Sequence, residues 1–377
     1  MKAKITYVSR KRKESLTYSQ VGDNYDTKDP IKKLAQMAAA HTAINLKNGF
    51  EEVSESRGES AYVWKQGDIY MASMIEGLGT KNLVADETRK ITGKTYYDVI
   101  ANDTIAYIIN DLISVGAKPL VIHAYWAIED NLWLADEERM SDLIKGWKKG
   151  CDLAGASWGG GETATDKGVI EKNTIDLAGS AVGIIGSEKR LILDKKLKSG
   201  DRILLIKSNG INASGISLAR AIAKRVKGGY GEKLVNGTLY GDAILTPSNI
   251  YAKLVTDLLD YGVDIHYMNF ISGHGLRKIM RANRKFTYVV EKIFDPQEIF
   301  LFIQQQANLD DYEMYQTYNM GQDYVIFIPE KDITKALEIV AQNGFEGLDA
   351  GYIEEGERQV IIKPKNITFK GESLNLR

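Results

Sequence analysis

The chain has 377 residues, 44% hydrophobic and 26% charged, with a formal net charge of −1. This length leads us to expect two domains, each able to bury its own core, and the near-neutral charge argues against a nucleic-acid or anionic-membrane partner. No apolar run approaches the roughly 18 residues that cross a bilayer, and the basic N-terminus lacks the apolar stretch of a signal peptide. A single cysteine, Cys151, excludes an intramolecular disulfide and suits a reducing, cytoplasmic setting. With no histidine near it in sequence, it reads as a packed small side chain rather than a nucleophile.

Arg10-Lys11-Arg12-Lys13 reads as part of a solvated arm. Pro30 then opens a helix over Ile31 to His41, at the first-turn position that proline tolerates. Residues 47 to 60 read as a loop. Strands around Trp64 and over Ile69 to Ile75 lead into Glu76-Gly77-Leu78-Gly79-Thr80-Lys81. Two glycines one residue apart let the backbone turn sharply and approach a ligand. Exposed N–H groups, the Thr80 hydroxyl and the Lys81 charge suit a polyphosphate, and Glu76 could hold its magnesium. The loop is not a Walker A motif, so an ordinary glycine turn stands as the alternative.

The next helix runs from about Tyr97 to Val115, closed by Gly116 with Pro119 beyond it. Ile105, Ile108, Ile109 and Leu112 form one apolar stripe. Asp103, Asn110 and Asp111 share another side: at about 100° per residue, Asn110 lies about 20° and Asp111 about 80° from Asp103. That side is either a ligand face or a plain solvated one. A strand follows over Leu120 to Ile128, then an amphipathic helix over Glu137 to Ala154. Gly159, Gly160 and Gly161 before Glu162 and Thr163 read as a flexible turn through which the backbone meets something. The strand over Thr174 to Ile185 carries Asp176, a charge among apolar residues that needs a partner or a metal. Glu76, Asp103, Asp111, Glu162 and Asp176 together have the composition of a magnesium–nucleotide site.

The second half begins near Ser187. Asp201 to Lys207 reads as a strand, and Ser208 to Gly215 as a turn feeding a helix to about Arg225. That is either an anion-binding turn or an ordinary capped one. Thr246-Pro247 caps a helix over Ser248 to Tyr261. Helices near Asp295 to Gln305 and Lys331 to Asn343 alternate with strands near Val325 and Gly351. His266 and His274 are the histidines of this half.

The order of motifs resembles phosphoribosylformylglycinamidine cyclo-ligase, the aminoimidazole ribonucleotide (AIR) synthetase family. Glu76-Gly-Leu-Gly-Thr-Lys81 is similar to its Asp-Gly-Val-Gly-Thr-Lys loop. Asp98 to Asp103, and Asn110-Asp111 through Gly116-Ala-Lys-Pro119, are similar to its next segment. Gly160-Gly-Glu-Thr-Ala164, Asp176-Leu-Ala-Gly179, Leu245-Thr-Pro247 with Ile250-Tyr251, and Asn319-Met-Gly321 also have counterparts.

The resemblance implies an α/β (α+β) fold of two domains, residues 1–187 and 188–377. The first binds ATP and forms a dimeric β-barrel-like interface, and the second, an α+β domain, closes over the substrate. It implies a homodimeric ligase of purine biosynthesis using ATP and Mg2+ on a small nucleotide substrate, without nucleic acid or membrane. It places Glu76, Gly77, Gly79, Thr80, Lys81, Asn110, Asp111, Gly160, Gly161, Glu162 and Thr163 at the nucleotide. Glu76, Asp103, Asp111, Glu162 and Asp176 are the expected metal set, and Lys81 and Asp103, with His274 standing in for the family's missing histidine, the expected catalytic set. Ser208, Gly210, Asn212, Ser214, Gly215, Tyr251 and Asn319 face the substrate.

The departures lie on the substrate side. Asn212 stands for a histidine, Ser214 for an asparagine, Asn249 for an arginine, Phe270 for a histidine and His274 for a glycine. Phe270 cannot move a proton, which leaves His274, or His266, to take that part. The changes favour, as a second reading, a related ATP-dependent kinase or synthase with a different acceptor. A non-catalytic dimeric nucleotide binder is the third, against which the intact acidic set argues.

Overall fold

The computed structural model describes residues 15–17, 19–21 and 25–374, so the Arg10–Lys13 run lies outside it. Helix α1 (Tyr25–Ala40) begins five residues before Pro30, so the proline lies inside the helix rather than in its first turn. Strands β1 (Phe50–Glu52), β2 (Tyr62–Gln66), β3 (Ile69–Gly77), β4 (Lys118–Ile128), β5 (Ser157–Thr165) and β6 (Ile175–Ile185) form one sheet, in the order β1-β2-β3-β6-β4-β5. The helices between them are α2 (Lys81–Thr92), α3 (Tyr97–Ile113) and α4 (Glu137–Ala154). All neighbours pair antiparallel except β4 and β5, the parallel pair that α4 connects.

Local chemistry sets the ends of α4. The Asp136 carboxylate accepts the Arg139 N–H at 3.1 Å at the start, and Gly155 ends the helix in the left-handed region at φ 65°. The α3 stripe of Ile105, Ile108, Ile109 and Leu112 is fully buried. Alternate residues of β6, from Ile175 through Leu177, Gly179, Ala181 and Gly183 to Ile185, are buried, and α3 packs on β6 and β3. Gly179 lets the helix come close: a Cβ there would lie 2.8 Å from Ile108 Cδ1 and 2.5 Å from the His123 carbonyl oxygen. The other face of the sheet is open. Ile75 is 76% exposed on it, with Tyr125 and Asp176 also exposed.

The Gly159–Gly161 run is not a turn but part of the edge strand β5. The β4–β5 register shifts there, and Gly160 takes φ 106°, which is why the strand needs glycine.

The second half builds a seven-stranded sheet from β7 (Arg202–Lys207), β8 (Tyr267–Phe270), β9 (Phe286–Val290), β10 (Gln322–Ile328), β11 (Gly347–Glu355), β12 (Gln359–Ile362) and β13 (Ile367–Lys370). Its order is β13-β12-β9-β11-β7-β10-β8, antiparallel except for β12 with β9. Helices α5 (Ile216–Ala223), α6 (Tyr240–Ile244), α7 (Ala252–Asp260), α8 (Glu298–Ala307), α9 (Asp311–Thr317) and α10 (Ile333–Gln342) surround it. No helix among the described residues is long and apolar enough to cross a membrane.

The halves are joined by a polar clasp. The expected helix over Ser248 to Tyr261 starts only at Ala252, because the preceding backbone is gripped by α2 and α3. Lys81 Nζ donates to the Thr246 carbonyl at 3.2 Å, and Asp103 accepts the Ser248 N–H at 2.7 Å. Asn102 donates to the Ser248 carbonyl at 2.8 Å, and Asn110 to the Asn249 carbonyl at 2.8 Å while accepting the Tyr251 N–H at 3.0 Å.

Candidate active site

A cavity of about 1,090 Å³ opens where the glycine loop meets the second half. The loop supplies Glu76 through Thr80, α3 supplies Asp111 and Tyr107, and the second half supplies Ser214, Ser272, His274, Lys278 and Arg281. Lys28, Lys32 and Gln36 of α1 line it at helical spacing. Gly79 takes φ 76° with open space where a side chain would sit, so its backbone is bare to the cavity. Thr80, the residue just before α2, also lines the cavity.

Glu76 and Asp111 form the acidic side. Burial raises the Glu76 carboxyl above its ordinary range, and the neighbouring Asp111 charge adds to the rise, against the Gly77 N–H and Lys278. Asp111 Oδ1 is buried without a hydrogen-bond partner. A buried carboxylate oxygen left unsatisfied is costly, so this position calls for a cation or a donor from a ligand.

The expected metal set is spread over three places. Glu76 and Asp111 face the cavity. Asp103 is fully buried in an ion pair with Lys81, away from the cavity. Glu162 and Asp176 lie exposed on β5 and β6, beside Tyr125. Among the described residues no three such side chains stand together as a metal cage. Magnesium needs only one or two carboxylates when phosphates and water complete its shell, so Glu76 with Asp111 fits it.

The expected catalytic set divides as well. Lys81 belongs to the clasp, and burial pulls its ammonium below the ordinary lysine range while Asp103 opposes the shift. His274 does reach the cavity, in the left-handed region at φ 72°. Burial and the charges of Arg277, Lys278 and Lys32 lower its pKa to about 2, so it is a neutral imidazole across the physiological range. His266 lies elsewhere, bonded to Asp201 at 2.8 Å and Asp264 at 3.1 Å.

Of the nucleotide-facing residues, Gly77, Gly79 and Thr80 line the cavity, whereas Asn110 works in the clasp and Gly160, Gly161 and Thr163 lie on the edge strand. Of the substrate-facing residues only Ser214 lines the cavity, held at 2.7 Å by the Tyr107 hydroxyl. The others are scaffold. Ser208 bonds to Asn319 at 3.2 Å, Asn319 donates to the Gly210 carbonyl at 2.9 Å, and the Tyr318 hydroxyl donates to the Gly215 carbonyl at 3.0 Å.

Two of the departures, Asn212 and Asn249, lie in one polar network, and Phe270 packs nearby. Asn212 and Tyr251 both donate to Asp323, whose carboxyl burial pushes up to about 7. Asn249 donates to the Tyr251 hydroxyl at 3.0 Å. Phe270 packs edge-on against Tyr107, with ring centroids 5.1 Å apart. Reading the sequence missed Tyr107, Lys278 and Arg281. The one available signal was the cluster of basic residues just after the Ser272-Gly-His-Gly275 turn.

The architecture is that of a two-domain α/β protein with a ligand pocket at the joint, acidic on its glycine-loop side and basic on the other. Family models place it more narrowly. The model described as AIR synthase related protein, N-terminal domain, matches residues 58–185, and the C-terminal domain model matches 198–363. The chain is 31% identical to a phosphoribosylformylglycinamidine cyclo-ligase of Methanocaldococcus jannaschii, over 86% of this chain and 88% of that one. It is 32% identical to one from Methanosarcina barkeri, over 72% and 78% of the two chains. The protein therefore belongs to the AIR synthase related family. The fold is shared with HypE of a HypE–HypF complex, at TM-score 0.59 and 16% identity over 88% of this chain and 94% of that one. It is also shared with AaThiL complexed with AMPPCP and TMP, at TM-score 0.57 and 13% identity over 89% and 94%.

Proposed function

We propose that this protein is an ATP-dependent cyclo-ligase that closes formylglycinamidine ribonucleotide to aminoimidazole ribonucleotide, releasing ADP and phosphate. The relatives' names support the reaction, and AMPPCP in the ThiL relative supports a nucleotide. The observation that carries the reading is the orphaned Asp111 Oδ1 beside Glu76 under the bare glycine loop. In this reading residues 1–187 bind ATP and dimerise, and residues 188–377 hold the acceptor.

Glu76 and Asp111 would hold Mg2+, which when bound neutralises charge on the triphosphate. The N–H groups of Gly79 and Thr80, at the cavity wall, would hold phosphate oxygens. The acceptor's amide oxygen attacks the γ-phosphorus as the bond to the bridging oxygen breaks, and ADP leaves with the electron pair. The amidine nitrogen then attacks the activated carbon and loses a proton, and phosphate departs with the former amide oxygen. The pocket's part is orientation and charge stabilisation, with neutral His274 as a hydrogen-bonding group and the Tyr107–Ser214 contact shaping the acceptor side.

The open sheet face, with Ile75, Leu120 and Tyr125 exposed, supports a homodimer through that face. In such a dimer Glu162 and Asp176 would meet the partner rather than their own glycine loop.

Asn212 and Asn249, drawn into the Tyr251–Asp323 network, and Phe270, buried against Tyr107, favour the second reading, a related kinase or synthase with another acceptor. Incubation with MgATP and formylglycinamidine ribonucleotide decides between them. One ADP per imidazole product is expected. ADP release only with a different acceptor would establish the second reading, and ADP with none would end both.

A further inference from the structure

Lys278 is only 6% exposed, yet its ammonium makes a single hydrogen bond among the described residues, Nζ to Ser272 Oγ at 2.7 Å. No carboxylate among the described residues lies within ion-pair distance of it. A buried ammonium with two N–H groups to spare and no carboxylate in contact is costly, and an anion arriving from outside would answer it. The groups whose charges bear on it are Asp111 of α3, Glu76 of β3, Lys32 of α1 and Arg281 of its own segment. His274, neutral as shown above, precedes that segment. Arg281 is engaged already, with Nη2 donating to the Gly58 carbonyl at 3.0 Å.

The backbone that carries Lys278 is fixed. The 3-10 helix Gly275–Met280 packs on α9, and Gly275 takes φ 54° where a Cβ would lie 2.3 Å from the Tyr315 carbonyl oxygen. The Lys278 carbonyl also accepts from Asn269 Nδ2 at 3.4 Å. The ammonium is thus held at the wall of the cavity across from the two carboxylates, with Lys32 the further cation on the α1 side.

We propose that Lys278, with Lys32 beside it, is a phosphate seat: its ammonium holds the oxygens of a phosphate group opposite Glu76 and Asp111. Phosphate matches the compact, three-donor ammonium and the charge that the pocket lacks on this side. The group is either the phosphoryl passing from ATP or a phosphate ester of the acceptor. Only that choice rests on the function proposed above; the seat itself does not.

The test uses the full chain with Lys278→Met, which keeps the volume and removes the charge, and Lys278→Arg, which keeps the charge. Inorganic phosphate, titrated by calorimetry, is the probe. Binding should weaken at least tenfold in Lys278→Met and less in Lys278→Arg, while Lys278→Met melts at or above the parent temperature because an uncompensated charge is gone. Equal phosphate binding in parent and Lys278→Met, no binding by the parent, or a Lys278→Met protein that melts well below the parent would each overturn the proposal. Turnover then assigns the source. A fall in kcat at constant acceptor KM identifies the transferred phosphoryl, and a rise in acceptor KM at constant kcat identifies the ester. If neither moves, the seat is not used and the proposal falls. If no acceptor is turned over even by the parent, the cyclo-ligase reading fails while the phosphate titration still decides the seat.

Discussion

Lys81 and Lys278 are both buried ammonium groups near the joint between the halves, and their surroundings are opposite. Lys81 is fully enclosed, paired with Asp103 and capped by the Thr246 carbonyl, so its charge is answered within the chain. Lys278 has a serine hydroxyl and a cavity. The same contrast divides the carboxylates: Asp103 receives Lys81, Asn102 and the Ser248 N–H, whereas one oxygen of Asp111, two turns further along the same helix, receives nothing. An answered charge holds the halves together, and an unanswered one waits for a ligand. The motif residues that read as one magnesium site therefore serve two purposes.

The sharpest way to break this comparison is to neutralise each aspartate of α3 in turn. Asp111→Asn should cut ADP formation by about 1,000-fold, the scale of losing a charge-stabilising group in a water-poor site, with no loss of thermal stability. A coupled ADP assay and a melting scan check both halves of that statement, and activity within tenfold of the parent would remove Asp111 from the site. Asp103→Ala should act in the other currency. It leaves the Lys81 ammonium buried without a counter-charge, so urea unfolding should show a loss of about 3–5 kcal/mol.

A third variant sharpens the contrast. Adding Lys81→Met to Asp103→Leu removes both charges, and apolar replacement of a buried pair is often neutral. The double variant should recover to within about 1 kcal/mol of the parent, and with the Asp103→Leu and Lys81→Met single variants the cycle should show a strong coupling energy. Failure to recover would mean that the bonds to Thr246 and Ser248, rather than the ion pair, carry the clasp.

Much of this was legible in the chain. The helix read over Glu137 to Ala154 is α4, the isoleucine stripe marks the buried side of α3, and the glycine loop is where the cavity opens. What could not be read was which side of α3 meets which partner. Asp103 and Asn110 look like a ligand face until the segment from Thr246 to Tyr251, over 130 residues later, is seen to lie on them. The helix expected from Ser248 loses its first turn to the same contact. Gly159–Gly161 reads as a turn because glycine is common in both turns and bulged edge strands, and only the pairing with β4 separates the two. Lys278 stayed hidden for a like reason: nothing local distinguishes a basic residue that folds inward from one that is solvated.

The smallest expected effect tests the answered-charge side of the comparison at a second place. His266 is enclosed between Asp201, fully buried, and the half-exposed Asp264. Burial opposes the imidazolium, yet the hydrogen bonds and charges of the two aspartates outweigh it and raise the folded-state pKa above 6.5. A raised pKa means that the folded chain holds the proton more tightly than the unfolded one. The stabilisation is then fully present below about pH 6.5 and is lost as pH rises through the folded value. Parent and His266→Asn should therefore differ most in unfolding free energy from urea titration near pH 6, by about 1 kcal/mol, and converge toward pH 9. His274, lowered by burial and surrounding cations, has no such window in this range, so His274→Asn should shift the midpoint equally at both pH values. A gap for His266→Asn that widens with pH would mean the imidazole is held neutral, and the paired description of that site would be wrong.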